Sequence, residues 1–261
     1  GTWGLQDRVA GEGGFGKLDG DGSGVLIKEG AGIKFQEKNM GTVIFQAIGI
    51  TAGYGRRVVF SDLSLELAEG SCTFIIGANG CGKSTLFSVL SGIKRMRGGE
   101  ILIDGLRAEA KQFRRQIGYV PQDNPLFTEL SVKDNLLLWY GGREALQKEI
   151  SGGVVEKLGL REVLKKRVST LSGGMQRRVC IGCAMAGHPR ILIMDEPGAA
   201  LDLECKEILY GYLDEYRKAG GTVLMSSHEK SEWEMGDRIY LLRDGRLEDF
   251  RATDQTGYGR I

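Results

Sequence analysis

The sequence predicts an α/β fold with a mostly parallel sheet that carries helices on both faces. Two observations lead to this prediction. Apolar runs typical of buried strands alternate with helical segments, and a glycine-rich loop joins one such run to a helix. The predicted strands are Thr42–Ile50, Ser71–Ile76, Ile101–Ile103, Ile117–Val120, Ile191–Met194, Thr222–Met225 and Ile239–Leu242. The predicted helices are Lys83–Ile93, Leu203–Lys218 and Glu229–Met235.

Two further parts are expected beside the parallel sheet. A small antiparallel β part is expected near the N-terminus. A mostly helical, charged stretch at about 126–187 predicts an inserted helical lobe. Residues 1–39 are rich in glycine and lack apolar periodicity, which predicts a flexible extension before one domain at 40–261.

The extension contains a segment, 19–26, that resembles the first half of a calcium loop, with oxygen ligands at alternate positions. The twelfth position of such a loop should be a bidentate glutamate, but here it is Gly30. We therefore favour a linker over a calcium site.

Composition indicates a globular protein without a strongly charged partner. The chain has 261 residues, of which 41% are apolar, enough for one large core with an appendage. Its formal net charge is +1, so no basic excess indicates nucleic acid, and no nucleic-acid partner is expected. No apolar run approaches the roughly 18 residues of a membrane span, so any membrane association is expected to come through a partner.

The five cysteines form an odd set without the spacing of a disulfide framework, which is typical of a reducing compartment. Cys180 and Cys183 form a C-x-x-C pair, but their neighbours are apolar and no second pair lies nearby. We interpret them as small core residues on one helix face. A metal or redox site is the weaker alternative, because zinc sites usually need four ligands.

A glycine-rich loop follows the predicted strand that ends at Ile76 and precedes a helix. Its sequence fits G-x-x-x-x-G-K-S, in which backbone N–H groups and the helix N-terminus bind phosphate oxygens. Lys83 is expected to reach the β- and γ-phosphates, and the Ser84 hydroxyl to ligate Mg²⁺. The predicted phosphate-binding residues, here called the phosphate loop, are Gly77, Ala78, Asn79, Gly80, Cys81, Gly82, Lys83, Ser84 and Thr85.

One residue of the phosphate loop has a second interpretation. Cys81 lies at a helix N-terminus close to Lys83, and both influences favour a reactive thiolate. A small residue that is merely tolerated at this position is an equally good explanation.

A pair of carboxylates follows the predicted strand Ile191–Met194. Asp195 is expected to hold Mg²⁺, and Glu196 to orient and polarise the attacking water. Two acidic residues after a strand are common, so this assignment depends on the phosphate loop elsewhere in the chain.

A second candidate anion-binding element opens the helix that leads into that strand. A serine and two glycines at a helix start present free N–H groups to an anion, although such a segment is often only a cap. The residues of this element, here called the signature segment, are Leu171, Ser172, Gly173, Gly174, Met175 and Gln176.

The phosphate loop, the signature segment, the carboxylate pair and a later histidine, in this order, resemble the ATP-binding cassette (ABC) family from about Met40 to Arg246. The resemblance implies the fold of P-loop nucleoside-triphosphate hydrolases, with ATP and Mg²⁺ as cofactors. It also implies a head-to-tail dimer, in which the signature segment of one cassette closes over ATP held by the phosphate loop of the other.

The resemblance assigns four more site residues. Tyr54 corresponds to the aromatic residue that stacks on adenine, and Asp202 to the aspartate loop at the dimer interface. Gln122 corresponds to the glutamine that contacts magnesium and senses the transporter, and His228 to the histidine that contacts the γ-phosphate. The chain departs from the usual pattern at Met175, where glutamine is commoner, and at Ala199, where serine is frequent. Neither change removes a metal ligand or the carboxylate of Glu196, so an active ATPase is expected.

By the same resemblance, the chain is expected to be the ATP-hydrolysing subunit of an ABC membrane transporter. Its expected partners are integral membrane permease subunits and a second cassette, identical or not. Its expected location is cytoplasmic, at the inner face of the plasma membrane. The alternative is a soluble ABC ATPase outside transport, for example of the cluster-assembly type.

Overall fold

The computed structural model describes residues 41–108, 115–199 and 201–250. Its strands are β1 Val43–Tyr54, β2 Arg57–Ala68, β3 Cys72–Ile76, β4 Gly98–Ile103, β5 Leu106–Arg107, β6 Ile117–Val120, β7 Ile191–Met194, β8 Thr222–Ser226, β9 Arg238–Arg243 and β10 Arg246–Asp249. Its helices are α1 Lys83–Leu90, α2 Val132–Leu137, α3 Arg143–Ile150, α4 Val154–Lys157, α5 Gly173–Ala184, α6 Leu203–Lys218 and α7 Lys230–Trp233. Two 3₁₀ turns span Arg161–Val163 and Val168–Thr170.

The central sheet has the strand order β10-β9-β3-β8-β7-β6. Every neighbouring pair is parallel except β10 and β9, which form a hairpin. The α/β class predicted from the sequence is confirmed. Because parallel strands end at the same edge of a sheet, the loops after β3, β7 and β8 leave the sheet side by side.

A second sheet, with the order β2-β1-β4-β5, is antiparallel throughout. The predicted strand Ile101–Ile103 belongs to this sheet, where Ile101 pairs with Ala47 of β1, and not to the parallel sheet. The sequence did not indicate which sheet this strand joins, because a short apolar run has the same pattern in a parallel and in an antiparallel sheet.

Alternate residues of the central strands enter two different cores. Phe74 and Ile76 of β3 pack with residues of α5 and α6, whereas Ile75 between them packs with α1 and with the antiparallel sheet. A strand that is apolar on both sides is typical of a parallel sheet covered on both faces. The phosphate loop is therefore anchored by a strand that is buried on both sides.

The segment predicted as a helical lobe contains α2 to α5 and both 3₁₀ turns. Ser131 begins α2, and its side chain accepts a hydrogen bond from Asp134 N at 3.1 Å. In the part of the chain that the structure describes, no helix has both the length and the apolar character needed to cross a bilayer. The extension at 1–39, its candidate calcium loop and the domain start at Met40 lie outside the described residues.

Candidate active site

The phosphate loop curls in a way that only glycine tolerates at two of its positions. Gly77 has φ 155°, and a Cβ there would lie 2.5 Å from the Leu242 carbonyl oxygen. Gly82 has φ 115°, and its Cβ would lie 2.6 Å from Val59 Cγ1. Gly82 also begins α1 and has no side chain to cap that helix, so the first N–H groups of α1 are available to an anion.

Lys83 is 6% exposed and lies against the loop that precedes it. Its ammonium donates hydrogen bonds to the carbonyl oxygens of Gly77 at 2.8 Å and Ala78 at 3.3 Å. The folded loop thus holds a positive charge beside the free N–H groups, which is an arrangement suited to phosphate.

A cleft of about 700 Å³ opens beside the phosphate loop. Its lining includes Ala78, Gly80 and Thr85 on one side and Tyr54 on the other. Tyr54 is 58% exposed, and its hydroxyl lies 3.4 Å from Thr85 Oγ1. The Lys94 ammonium lies over one face of the Tyr54 ring, 3.6 Å from its centroid. The structure therefore places Tyr54 next to the phosphate loop.

The two carboxylates follow β7, and β8 fixes them. Asp195 is 1% exposed, and its Oδ1 accepts a hydrogen bond from Ser226 Oγ at 2.8 Å. The backbone N–H of Glu196 donates to the same Ser226 oxygen at 2.9 Å. Ser226 is a site residue that the sequence analysis did not single out. The only sequence signal for Ser226 is its position at the end of the strand before His228.

Glu196 lies between two of the predicted site residues. Its Oε1 is 2.8 Å from His228 Nε2, and its Oε2 accepts a hydrogen bond from Gln122 Nε2 at 3.2 Å. Its backbone has φ 48°, in the left-handed region that non-glycine residues rarely adopt. The segments after β6, β7 and β8 thus converge on one carboxylate.

The strand order brings this carboxylate close to the phosphate loop. β8 lies between β3 and β7, and Ser226 is in register with Ile75, near the end of β3. Neighbouring strands are roughly 4.8 Å apart, so the ends of β3 and β7 are about 10 Å apart. That span suits a triphosphate held at one end and hydrolysed at the other.

The signature segment does not line this cleft. Ser172 begins α5, and its side chain accepts a hydrogen bond from Met175 N at 3.3 Å. Gly174 packs against the start of α6, where a Cβ would lie 2.8 Å from Cys205 Sγ. Asp202 caps α6 by accepting from Cys205 N at 2.8 Å, and this hydrogen bond lowers the pKa of the Asp202 carboxyl. The signature segment and Asp202 therefore lie together at the starts of α5 and α6, where both contact Cys205.

Known proteins match this chain in sequence and structure. The family model described as ABC transporter matches residues 60–199. The linearmycin resistance ATP-binding protein LnrL of Bacillus subtilis is 33% identical over 210 residues, which cover 78% of this chain and 68% of the relative. The Nod factor export ATP-binding protein I of Mesorhizobium japonicum is 35% identical over 211 residues, which cover 78% of this chain and 62% of the relative.

A solved dimeric cassette of a bacterial ABC transporter superposes with a TM-score of 0.71 at 25% identity, covering 80% of this chain and 99% of that one. The chain spans about two thirds of the length of the two curated relatives. The matched family residues contain the phosphate loop, the signature segment and the carboxylate pair. The chain therefore belongs to the ABC transporter family and is an ATP-binding cassette of it.

Proposed function

We propose that the chain binds ATP with Mg²⁺ and hydrolyses it as one cassette of a head-to-tail dimer, and so energises an integral membrane permease. The observation that carries the proposal is Glu196, held between His228 and Gln122 at the end of β7, two strands from β3 and its phosphate loop. The family supports ATP binding and hydrolysis, and the dimeric cassette structure supports a second cassette as partner.

Each site residue has a part in this proposal. The phosphate loop N–H groups and Lys83 bind the phosphate oxygens. Glu196 accepts the proton of the attacking water, because its carboxylate is held at both oxygens and lies at the end of β7, two strands from the strand that precedes the phosphate loop. His228 orients Glu196 and contacts the γ-phosphate. The Tyr54 ring face opposite Lys94 stacks on adenine.

The residues present fit a magnesium ion. Asp195 Oδ2 is buried and has no hydrogen-bond partner among the residues that the structure describes, which suits an oxygen that binds a cation or its water. Ser84 supplies a hydroxyl, Gln122 an amide oxygen, and phosphate oxygens and water complete an oxygen ligand set of the kind that Mg²⁺ prefers. When bound, the ion neutralises phosphate charge.

The signature segment and Asp202 act on the ATP of the partner cassette in this proposal. Ser172 and the N–H groups that begin α5 form an anion site outside the chain's own cleft. A second copy, or a related cassette, would bring a phosphate loop to that site.

An apolar surface near α2 supports a membrane partner. Phe127 is 60% exposed, and Leu138 and Trp139, which follow α2, are 57% and 63% exposed. Buried Asn135 of α2 fixes Phe127 to this helix. Its Oδ1 accepts a hydrogen bond from the N–H of Phe127 at 2.8 Å, and its Nδ2 donates to the carbonyl of Phe127 at 2.9 Å. Large exposed apolar side chains grouped in this way are typical of a docking surface. The permease would hold the cassette at the inner face of the plasma membrane.

Replacing Trp139 with serine is expected to weaken permease binding. A central tryptophan of an interface typically contributes 2 kcal/mol or more, about 30-fold in affinity. The measurement is the amount of integral membrane protein that co-purifies with the tagged chain. Leu106→Ser, at an equally exposed residue of the antiparallel sheet, is the control and should retain the partner. Absence of any membrane protein from the wild-type preparation would instead favour the ATPase outside transport.

Selective alkylation of Cys81 is a further expected result. Cys81 is half-buried and lines the cleft, whereas the other four thiols are buried. Burial raises the pKa of Cys72 to about 12 and of Cys180 to about 11, and it also raises the pKa values of Cys183 and Cys205. A maleimide should therefore label Cys81 first, and bound ATP should slow the labelling more than tenfold.

Peptide mass spectrometry after timed labelling checks this prediction. The Cys81→Ser variant serves as the control and should take up label only slowly. Labelling of Cys81 at the same rate with and without ATP would place the nucleotide elsewhere.

A further inference from the structure

Arg177 is a buried, charged residue that contacts the loops after β6 and β7. It lies on α5, directly after the signature segment, and is 4% exposed. Nε donates one hydrogen bond, Nη1 three and Nη2 one. The acceptors are the carbonyl oxygen of Pro121, that of Gln122 at 3.2 Å, Asn124 Oδ1 at 3.3 Å, the carbonyl oxygen of Asp195 at 2.5 Å and that of Pro197 at 3.4 Å.

These acceptors belong to two separate loops, one of which carries Gln122 and the other Glu196. Pro121, Gln122 and Asn124 follow β6, and Asp195 and Pro197 flank Glu196 after β7. Every acceptor is uncharged. A guanidinium taken out of water needs such partners, and its planar fork fixes their relative positions.

We infer that Arg177 is the positioning residue that sets Gln122 and Glu196 relative to each other and to the signature helix α5. This inference deepens the proposed function and rests on it. The hydrogen bond between Gln122 Nε2 and Glu196 Oε2 is the contact that Arg177 holds in place, because Arg177 bonds the backbone of Gln122 and the residues on both sides of Glu196.

The consequence is a connection between two nucleotide sites. The signature segment begins α5 and, in the proposed dimer, contacts the partner's ATP. Arg177 transmits the position of that helix to the water-activating carboxylate of its own site. A displacement of α5 would then alter hydrolysis without altering the phosphate loop.

Arg178 provides a matched control. It is the next residue on α5 and is 7% exposed, but its hydrogen bonds go neither to Gln122 nor to the residues beside Glu196. Its Nη1 donates to the Leu158 carbonyl at 3.2 Å, and its Nη2 donates to Met175 Sδ at 2.6 Å and lies 3.6 Å from Cys205 Sγ. Both arginines are therefore buried on one helix, and only Arg177 bonds the catalytic loops.

The test compares Arg177→Met with Arg178→Met, each alone and combined with Gln122→Ala, by ATPase kinetics and thermal unfolding. Arg177→Met is expected to lower kcat about 10–100-fold, the size of effect that misplaced catalytic groups produce. The KM for ATP should stay within about threefold, because the phosphate loop is intact. Arg178→Met should lower thermal stability comparably and change kcat much less.

The double variants separate positioning from general destabilisation. If Arg177 acts through Gln122, Arg177→Met combined with Gln122→Ala should be about as slow as the slower single variant. Arg178→Met combined with Gln122→Ala should multiply the two single effects. If Arg177→Met does not fold, Arg177→Lys replaces it in the same test, because lysine keeps the charge but lacks the planar guanidinium. Its kcat should fall between those of wild type and Arg177→Met.

Two outcomes would overturn the inference: multiplicative effects of Arg177 and Gln122, or equal losses of kcat at Arg177 and Arg178. Failure of the proposed function looks different. A wild-type chain without ATPase activity, or a Glu196→Gln variant with the wild-type rate, would contradict the function itself.

Discussion

Replacement of Glu196 with glutamine is expected to slow ATP hydrolysis about 10²–10⁴-fold, the usual size of a general-base effect. Glutamine has the shape of glutamate and can still hydrogen-bond Gln122 and His228, so the loops should keep their positions. What it loses is the ability to accept the proton of the attacking water. ATP binding should persist, because Lys83 and the N–H groups of the phosphate loop do not depend on Glu196.

Turnover measured by phosphate release, together with ATP affinity measured by equilibrium binding, checks the prediction. A dimer that persists in ATP, seen by size-exclusion chromatography, is expected for the slow variant. Glu149→Gln is the control, since Glu149 is a buried carboxylate away from the site that accepts a hydrogen bond from Val154 N, at the start of α4. A Glu196→Gln rate equal to wild type would assign water activation to another group.

The sequence predicts most of the central sheet because local signals there agree with the tertiary structure. The strand β3 before the phosphate loop is buried at every position and apolar at all but Thr73, and the observed β3 and β7 match their predicted bounds within one residue. The long strand β2 was not predicted. Its second half has a period of two, since Leu63, Leu65 and Leu67 are buried and Ser64 and Glu66 are exposed, and this signal was overlooked. Before Leu63 the alternation is broken, where the pairing with β1 contains register shifts.

The sequence predicts only those site residues that belong to a contiguous motif. Asp195 and Glu196 follow a strand directly, and Lys83 ends the glycine-rich loop after another strand, so chain position alone indicates where they lie. Ser226 and Arg177 could not be found in this way, because their partners are backbone and side-chain atoms of other loops. When the acceptors of a buried arginine are uncharged carbonyl oxygens, no acidic partner in the sequence indicates where it lies.

Replacement of Lys83 with alanine is expected to weaken ATP binding strongly without destabilising the nucleotide-free chain. The ammonium is buried and is held by two carbonyl oxygens, which offset its desolvation only in part. Alanine removes that cost together with the charge that attracts phosphate. Loss of hydrogen bonds between charged groups costs about 1.5–3 kcal/mol, roughly 10–150-fold in affinity.

Thermal unfolding with and without ATP measures both effects. ATP at about 100 times its Kd stabilises a folded chain by about 2.7 kcal/mol, which raises the Tm by roughly 5–10 °C for a chain of this size. At the same ATP concentration, Lys83→Ala should lose between about half and nearly all of this shift, while its Tm without ATP stays at or above that of wild type.

Lys206→Ala should behave in the opposite way and is therefore the control. Lys206 lies 3.3 Å from the buried carboxylate of Glu232, so its removal leaves that charge unpaired and lowers the Tm. The shift with ATP should remain, since Lys206 lies on α6 and does not line the cleft. A full ATP-dependent shift in Lys83→Ala would mean that the phosphate loop does not bind the triphosphate. The opposite signs of the effects at Lys83 and Lys206 distinguish a charge that binds a ligand from a charge that stabilises the fold.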